Sequence, residues 1–307
     1  MSINTLEYSQ IFQDALDEEM ISGSTTGWME LNSDMVKYNG GNEIKLPSII
    51  MDGLADYDRD NGFTAGGVKL TWETKAMSMD RGRSFQLDEN DVDETNFVVT
   101  AGNVMGQFQR TKVIPEVDAY RYSKVAQTAI TANKNRSIAV TKSNILSELK
   151  DDIAYILDIV GEGEQIIVTL SHKIGTILDL ADEIKKSLSV VEFTKGEVTT
   201  KTKALDDAII LRAPSGRMKT EYVFNDGKTA GQEKGGFVTA ETAKSINWLI
   251  TVRRAVIAVS KTDKVRIFDP ETNQKARAWG LDYRKYHDLW IPKNKLDGIF
   301  VNTAPAQ

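Results

Sequence analysis

Residues Val68 to Ala132 constrain the fold of this chain more than any other segment. The sequence predicts one long bent strand over 68–88, where ordinary strands have about five or six residues. Apolar residues occupy one phase of the alternation up to Ala76 and the other phase from Met77 onward, which predicts a β-bulge between them. A long helix follows. A strand and helix of this length predict a chain that reaches its neighbours rather than one that encloses a substrate.

The segment before this strand predicts its partner in a hairpin. EIKLPSIIM reads as an edge strand, because Pro47 cannot donate to a sheet ladder. The polar, glycine-rich stretch DGLADYDRDNGFTAGG predicts the tip. Because an isolated two-stranded hairpin is marginally stable in water, contacts with another chain are expected to hold this one.

The helix is predicted to begin at Asp91 or Asp93 and to be kinked or restarted at Pro115, which lacks an N–H donor. Its apolar face is predicted to contain Phe97, Ala101, Val104 and Phe108, then Val117, Tyr120 and Val125. A short amphipathic helix is also predicted over 5–20, where it would dock onto another surface.

Residues 141–260 predict a separate α/β lobe. Its expected elements are a helix ending before Gly161, the strand QIIVTL, the helix IGTILDLADEIKKSL, the strands VVEF, AIILRA and MKTEYVF, and a third helix TAETAKSINWLI. Four strand-like segments follow, namely TVRRAVIAVS, KVRIF, WGLDYRKYHDLWI and GIFV. They are expected to return and pack beside the long helix.

Composition narrows the class of protein. The 307 residues are 41% hydrophobic and 27% charged, as in globular proteins with two or three lobes. The absence of cysteine excludes disulfides and thiol chemistry, and no apolar run is long enough to span a membrane. The N-terminus lacks the features of a secretory signal. The net charge is −6, and the sequence shows no cluster of basic residues of the kind that binds the phosphates of nucleic acid.

Motifs for catalysis or ligand binding are weak. Gly227-Lys228-Thr229 resembles part of a phosphate-binding loop, but Tyr222 stands where the earlier glycine is needed, so a mobile loop is favoured. Asp56, Asp58 and Asp60 alternate as in a calcium loop whose glycine and final glutamate are out of place, so a solvated acidic tip is favoured. No catalytic, cofactor-binding or metal-binding residue is assigned.

The two histidines, His172 and His287, are far apart in sequence and form no motif, and a structural imidazole is the preferred interpretation of His287. Aromatic and arginine residues, by contrast, are concentrated in the hairpin and the C-terminal strands. They indicate either a core edge with solvated charges or a protein–protein interface. The lack of a catalytic constellation favours the interface, with suspected intersubunit contacts at Trp72, Arg81, Arg83 and Phe85.

Three segments carry a family resemblance. MDRGRSFQLDENDVDET and KVIPEVDAYRYSKVA resemble the extended loop and spine helix of tailed-bacteriophage major capsid proteins, and DYRKYHDLWI resembles their C-terminal part. The resemblance implies an α+β Hong Kong 97-type capsid fold. It divides the chain into an N-terminal arm (1–33), an extended β-hairpin loop (34–84), a peripheral domain with a long spine helix (85–140 and 261–307) and an inserted α/β axial domain (141–260).

The resemblance also implies a function without catalytic turnover and without a cofactor. Copies would form pentamers and hexamers of an icosahedral virion shell around double-stranded DNA, after synthesis in the host cytoplasm. Portal and scaffolding proteins, and a decoration protein, are the implied partners, with no membrane. Because the arm starts at Met1, a separate scaffolding protein is expected rather than a cleaved scaffold segment.

Two alternatives remain open from the sequence. One is a protein nanocompartment shell of the same fold that encloses cargo enzymes instead of DNA. The other is a carboxylate-dependent hydrolase or a nucleotide-binding enzyme that uses Lys228.

Overall fold

The structure is a computed structural model in which four sheets and a long helix are packed together. It describes residues 23–35, 37–38, 43–60, 62–88, 97–181, 188–195, 198–268, 270–271, 273 and 277–305. The helix predicted over 5–20 and the helix start predicted at Asp91 or Asp93 lie outside these residues.

The strands are β1 Lys37–Tyr38, β2 Glu43–Met51, β3 Val68–Ala76, β4 Met79–Asp88, β5 Asn135–Ser137, β6 Ile166–Ser171, β7 Leu188–Lys195, β8 Val198–Leu205, β9 Ala208–Ala213, β10 Tyr222–Phe224, β11 Phe237–Thr239, β12 Ile246–Val252, β13 Ile257–Phe268, β14 Ala278–Trp290 and β15 Ile299–Thr303. The α-helices are α1 Phe97–Phe108, α2 Ile114–Thr131, α3 Ile145–Val160 and α4 His172–Asp179. Short 3₁₀ helices occupy Gly27–Met35, Ser215–Arg217 and Lys293–Gly298.

The largest sheet has seven strands in the order β5-β15-β12-β6-β9-β8-β7. It is mixed, because β6 pairs with β9 and β15 with β5 in parallel while the other pairs are antiparallel. All residues of β6 and β12 are buried, as expected for central strands covered on both faces. The main hydrophobic core joins this sheet to α3 through Leu149, Ile153 and Ile156, and to α2 through Tyr122 and Val125.

The predicted third helix TAETAKSINWLI is wrong. Its second half is β12, and residues 240–245 form turns and loop that lead into that strand. A short continuous apolar run fits a buried strand as well as a buried helix, so periodicity alone does not separate them. The predicted strand MKTEYVF shortens to β10, which pairs only with β11.

The single long strand predicted over 68–88, with its bulge, is also wrong. β3 ends at Ala76 and pairs with β2, whereas β4 begins at Met79 and pairs with β14. The sheet order β13-β14-β4 is separate from the sheet β1-β2-β3. The switch in apolar parity therefore marks the passage of the chain from one sheet to another at residues 77–78.

The long helix is interrupted next to Pro115, as predicted. A π-helical turn, Gln109–Val113, joins α1 to α2 without leaving the helical region of backbone angles. Proline supplies no N–H, and its ring collides with the carbonyl four residues earlier in an ordinary α-helix. A wider turn beside the proline accommodates both effects.

Candidate subunit-contact surface

The strands β2 and β3 form a hairpin whose nine-residue strands pair from Glu43 with Ala76 to Met51 with Val68. At about 3.4 Å per residue this ladder is about 30 Å long. The short strand β1 pairs with β2 only near its base, where Lys37 lies opposite Lys45.

The two faces of β3 show the reverse of the usual burial pattern. Val68, Leu70 and Trp72 alternate along one face and are exposed, whereas Thr71, Glu73 and Lys75 on the other face are half-buried. Trp72 keeps 40% of its surface in solvent. On the inner face of the hairpin, Ile44 and Leu46 of β2 are fully buried opposite Lys75 and Glu73. An apolar face that stays exposed in addition to this buried one indicates a surface that another molecule covers.

Exposed apolar side chains are concentrated in this hairpin. Of the fourteen large hydrophobic side chains that are exposed among the described residues, eight lie between positions 50 and 72. They are Ile50, Met51, Leu54, Tyr57, Phe63, Val68, Leu70 and Trp72. Such clustering distinguishes the hairpin from a surface with scattered single hydrophobics, which needs no explanation.

The tip of the hairpin has internal order. Asp58 and Gly62 exchange two backbone hydrogen bonds, with N–O distances of 3.2 and 2.8 Å. The rings of Tyr57 and Phe63 meet edge to face at 4.9 Å between centroids. The Asp58 carboxylate accepts a hydrogen bond from the backbone N–H of Asp60 at 2.8 Å. Among the described residues no three acidic or histidine side chains are placed to hold a metal ion together.

The base of the hairpin is fixed to the rest of the chain by a buried carboxylate. Ser78, in the link between β3 and β4, donates to Asp288 from its backbone N–H at 2.8 Å and from its hydroxyl at 2.9 Å. The Tyr120 hydroxyl on α2 donates to the other oxygen of Asp288 at 2.6 Å. Met77 is buried beside them, and its carbonyl accepts from Tyr286.

The four residues suspected of intersubunit contact lie in two different places. Trp72 is on the projecting hairpin, whereas Arg81, Arg83 and Phe85 are on β4 and contact other parts of the same chain. Phe85 packs edge to face on Phe108 of α1, with centroids 4.9 Å apart. The intersubunit role of these residues stays a prediction.

Both arginines bind the loop between β10 and β11. Arg81 forms an ion pair with Glu116 at 2.7 Å and donates to the carbonyls of Asn225 and Gly236 at 2.7 and 3.2 Å. Arg83 donates from both terminal nitrogens to the carbonyl of Glu233 at 3.3 Å. The two guanidinium groups therefore fix this loop against β4.

The same loop contains Gly227-Lys228-Thr229, and its geometry differs from that of a phosphate-binding loop. The Asp226 carboxylate accepts hydrogen bonds from the backbone N–H groups of Lys228 and Thr229 at 2.8 Å, and from the Thr229 hydroxyl at 2.6 Å. These hydrogen bonds hold the pKa of Asp226 at about 2, with the hydroxyl bond contributing most. The N–H groups that would cradle a phosphate are thus already bound by a carboxylate.

His287 is buried on β14, and its ring meets that of Tyr120 at 5.5 Å between centroids. Burial, followed by the charges of Arg121, Lys285 and Arg81, lowers the pKa of His287 well below its ordinary value of 6.5. The imidazole is therefore neutral at pH 7. His172, by contrast, is exposed at the start of α4, so the two histidines are not brought together.

Sequence reasoning missed a buried carboxylate that holds the N-terminal segment. Asp118 on α2 is fully buried and accepts hydrogen bonds from the hydroxyls of Ser24, Thr25 and Thr26 at 2.8, 2.9 and 2.6 Å. Arg217 donates to the same carboxylate at 2.9 Å. The available signal was weak, because Asp118 lies among apolar and aromatic residues but Glu116, Arg121 and Lys124 are charged residues of the same helix.

Within the part of the chain that the structure describes, every helix is either too short or too polar to cross a membrane.

No protein-family model and no curated protein sequence matches this chain. Solved structures do match it. The asymmetric unit of the bacteriophage PhiM1 mature capsid is 10% identical with a TM-score of 0.57, and the match covers 88% of this chain and 84% of that one. The capsid structure of the cyanophage P-SCSP1u is 12% identical with a TM-score of 0.56, covering 88% and 86%.

A virus-like particle from Pyrococcus furiosus is also similar. It is 11% identical with a TM-score of 0.52, and the match covers 96% of this chain and 99% of that one. At such identities these likenesses establish the fold. The chain has the fold of phage capsid structures, and the α+β, Hong Kong 97-type architecture predicted from its sequence is confirmed.

Proposed function

We propose that this chain is the structural subunit of an icosahedral viral shell, a major capsid protein without catalytic turnover. The observation that carries the proposal is the inverted face of β3, where Val68, Leu70 and Trp72 are exposed and the polar face is half-buried. A neighbouring copy that covers this face would bury it. Complete burial of one large apolar side chain contributes about 1.5–3 kcal/mol. The eight exposed apolar side chains of the hairpin would therefore offset much of the cost of association, which is about 4–15 kcal/mol.

The proposed assembly consists of pentamers and hexamers in which each hairpin lies over an adjacent subunit. Subunits in the two settings meet at slightly different angles, so a reaching element must adapt while the rest stays rigid. We retain the division into arm (1–33), extended loop (34–84), peripheral domain (85–140 and 261–307) and axial domain (141–260).

The proposed shell encloses double-stranded DNA in the virion, and its subunits are made in the host cytoplasm. Portal, scaffolding and decoration proteins are the further proposed partners. The acidic balance of the chain, with net charge −6, fits a shell wall that lies beside DNA without gripping it.

The experiment replaces the hairpin tip. Met51 and Val68 are paired in the ladder, so residues 52–67 can be exchanged for the two-residue turn Asn-Gly, which closes an antiparallel hairpin. The subunit is expected to fold with unchanged circular dichroism and to fail to form shells by negative-stain microscopy. Normal shells from this variant would contradict the proposed role of the hairpin.

A second pair of variants separates loss of the tip from loss of apolar surface in general. Leu54→Ser with Phe63→Ser removes two exposed apolar side chains at the tip. Val223→Ser with Val238→Ser removes an exposed cross-strand pair on β10 and β11. Only the tip variant is expected to lower the yield of shells. Equal yields from both would argue against a specific tip contact.

A shell that encloses protein cargo instead of DNA is the second candidate. It is favoured by the match to a structure that is named a virus-like particle rather than a phage capsid, and this match spans almost the whole of both chains. Particles purified from the natural host distinguish the candidates. The ratio of absorbance at 260 and 280 nm, before and after nuclease treatment, reports DNA. Electron microscopy shows whether protein density fills the interior.

A further inference from the structure

A cavity of about 550 Å³ lies where four segments meet, and the proposed shell function does not use it. Its walls are β4, the π-helical turn with the start of α2, the loop over 225–236, and β14. The loop forms one wall at close range, because a Cβ atom at Gly227 or Gly235 would lie only 3.4 or 3.5 Å from Arg83 Nη1.

The lining of the cavity is strongly positive. It contains three carboxylates, from Asp80, Glu116 and Asp226, and six cationic side chains, which give it a formal charge of +3 with His287 neutral. The cations are Arg81, Arg83, Lys112, Lys228, Lys234 and Lys285.

The carboxylates are already engaged elsewhere. Asp80 is paired with Arg284, which is not part of the lining, at 2.6 Å, and Glu116 is paired with Arg81. Asp226 accepts the hydrogen bonds of its own turn. Glu116 thus neutralises one lining cation, and Asp263, which is outside the lining, neutralises Lys285. The remaining cationic charge of the lining is on Arg83 and on three lysines.

Three of the lining lysines have no close partner for their ammonium groups. In the described part of the chain, the ammonium groups of Lys112, Lys228 and Lys234 have neither an ion pair within 4.0 Å nor a hydrogen bond. Lys112 lies on the π-helical turn, whereas Lys228 and Lys234 lie on the loop. These charges come from separate walls, so a group in the cavity can be contacted from more than one side.

His287 adds a buried polar side chain to the wall of the cavity. His287 lines the cavity and is only 2% exposed, yet its Nδ1 has no hydrogen-bond partner among the described residues. A buried polar atom left without a partner costs about 1–3 kcal/mol. The Nδ1 atom has almost no accessible surface, so a ligand in the cavity would reach an N–H of His287 only after the imidazole turned.

We propose that this cavity binds a small phosphate-type oxyanion. Lysine ammonium groups are point charges suited to phosphate oxygens, and the guanidinium of Arg83 adds two further donors. The cavity is large enough for a phosphorylated small molecule. A bound oxyanion would tie the loop to the π-helical turn and to β4, and so stiffen the region from which the hairpin projects.

The test is isothermal titration of the full-length chain with inorganic pyrophosphate at low ionic strength. One pyrophosphate is expected to bind per subunit. Lys228→Gln with Lys234→Gln is expected to weaken binding at least about tenfold, the change that corresponds to 1.4 kcal/mol. Lys112→Gln, on the opposite wall, is expected to weaken it as well. A matched control, Lys142→Gln with Lys173→Gln, removes two exposed lysines outside the lining and is expected to bind as the unmodified chain does.

Several results would overturn the proposal. One is the absence of binding at millimolar pyrophosphate, and another is equal weakening in the control variant, which would indicate unspecific charge attraction. Binding of a short DNA duplex but not of pyrophosphate would make the cavity a contact for packaged DNA. Binding of pyrophosphate only after residues 52–67 are replaced would show that the acidic tip of a second copy occupies the cavity. Apart from the last, these results do not depend on whether shells form, so their outcome is separate from that of the tip replacement.

Discussion

Acidification is expected to destabilise this protein through one histidine. His287 is buried, and its nearest charged influences after burial itself are the cations Arg121, Lys285 and Arg81. All of these disfavour a protonated imidazole. The carboxylate of the next residue, Asp288, is occupied by Ser78 and Tyr120. The folded chain therefore keeps His287 neutral at pH values where the unfolded chain protonates it.

The direction and size of the effect follow from linkage between proton binding and folding. The stability is complete above the unfolded pKa of 6.5 and declines as the pH falls below it, until the pH reaches the lowered pKa of the folded state. One proton of difference corresponds to about 1.36 kcal/mol per pH unit. Between about pH 8 and about pH 5 the loss is about 2 kcal/mol, a large share of the usual 5–15 kcal/mol.

Urea unfolding across this pH range, followed by tryptophan fluorescence, measures the effect. His287→Gln is expected to be less stable at every pH but to lose the histidine-dependent part of the slope, about 2 kcal/mol over the range. Since the chain has only two histidines, His172→Gln is a matched control, and it is expected to keep the slope because His172 is exposed. Parallel stability curves for the unmodified chain and His287→Gln would refute the reasoning.

Three further predictions concern named contacts. Ser78→Ala is expected to lower the free energy of unfolding by about 1–2 kcal/mol, because it removes one hydrogen bond to the buried Asp288. Urea unfolding would measure this change. Phe85→Ala is expected to lower the free energy of unfolding by about 2 kcal/mol, and a thermal melt would detect the change. This is less than the roughly 3–5 kcal/mol typical of a fully buried ring, because Phe85 is only half-buried. For Glu30, burial is the largest single influence and raises the pKa, but Arg121, Lys285 and the Ser260 hydroxyl together outweigh it, so the pKa lies at about 2 and stability is lost between about pH 4.5 and pH 2. Because the Glu30 side chain is 41% exposed, this loss is expected to reach only about 1 kcal/mol, and it should disappear in Glu30→Gln.

Helices and strands in which apolar residues recur at a regular spacing were predictable from the sequence. The apolar stripe from Leu146 to Val160 gives α3, and the continuous run QIIVTL gives most of β6. The hairpin strand β2 and the start of β3 at Val68 were also placed correctly, because turn residues separate two alternating segments. In each case the local pattern and the tertiary environment specify the same structure.

The secondary-structure predictions were wrong where tertiary contacts, rather than the local sequence, determine the structure. INWLITV is apolar enough for a buried helix or a buried strand, and its place between β6 and β15 selects the strand. The parity switch near Met77 was interpreted as a bulge because a bulge and a change of sheet alter the alternation in the same way. The second strand partner, β14, lies about two hundred residues further along the chain, beyond the reach of any local pattern.

For the candidate contact residues, the sequence likewise indicated which residues are unusual but not which residues they contact. Composition identified Trp72 and the arginines of β4 as unusual, but not what they touch. Arg81 binds the carbonyl of Asn225 across 144 positions of sequence, a contact that depends on how β10 and β11 are placed over α2. The exposed apolar face of β3 was visible as an alternation, but only the burial of Thr71 and Glu73 on the opposite side shows which face is turned outward.

The helix α2 anchors two segments by two of its neighbouring residues. Asp118 holds the N-terminal segment at 24–26, and Tyr120, two residues later, holds Asp288 and through it the base of the hairpin. Two residues correspond to about 200° around a helix, so these contacts leave α2 on nearly opposite sides. The base is thus tied to a rigid helix by buried hydrogen bonds, and Ile44 and Leu46 of β2 fix the first part of the ladder in a buried cluster. In the described part of the chain, the outer ladder shows an exposed apolar face. Bending of the hairpin between different neighbours is therefore expected beyond Leu46 and Glu73, toward the tip.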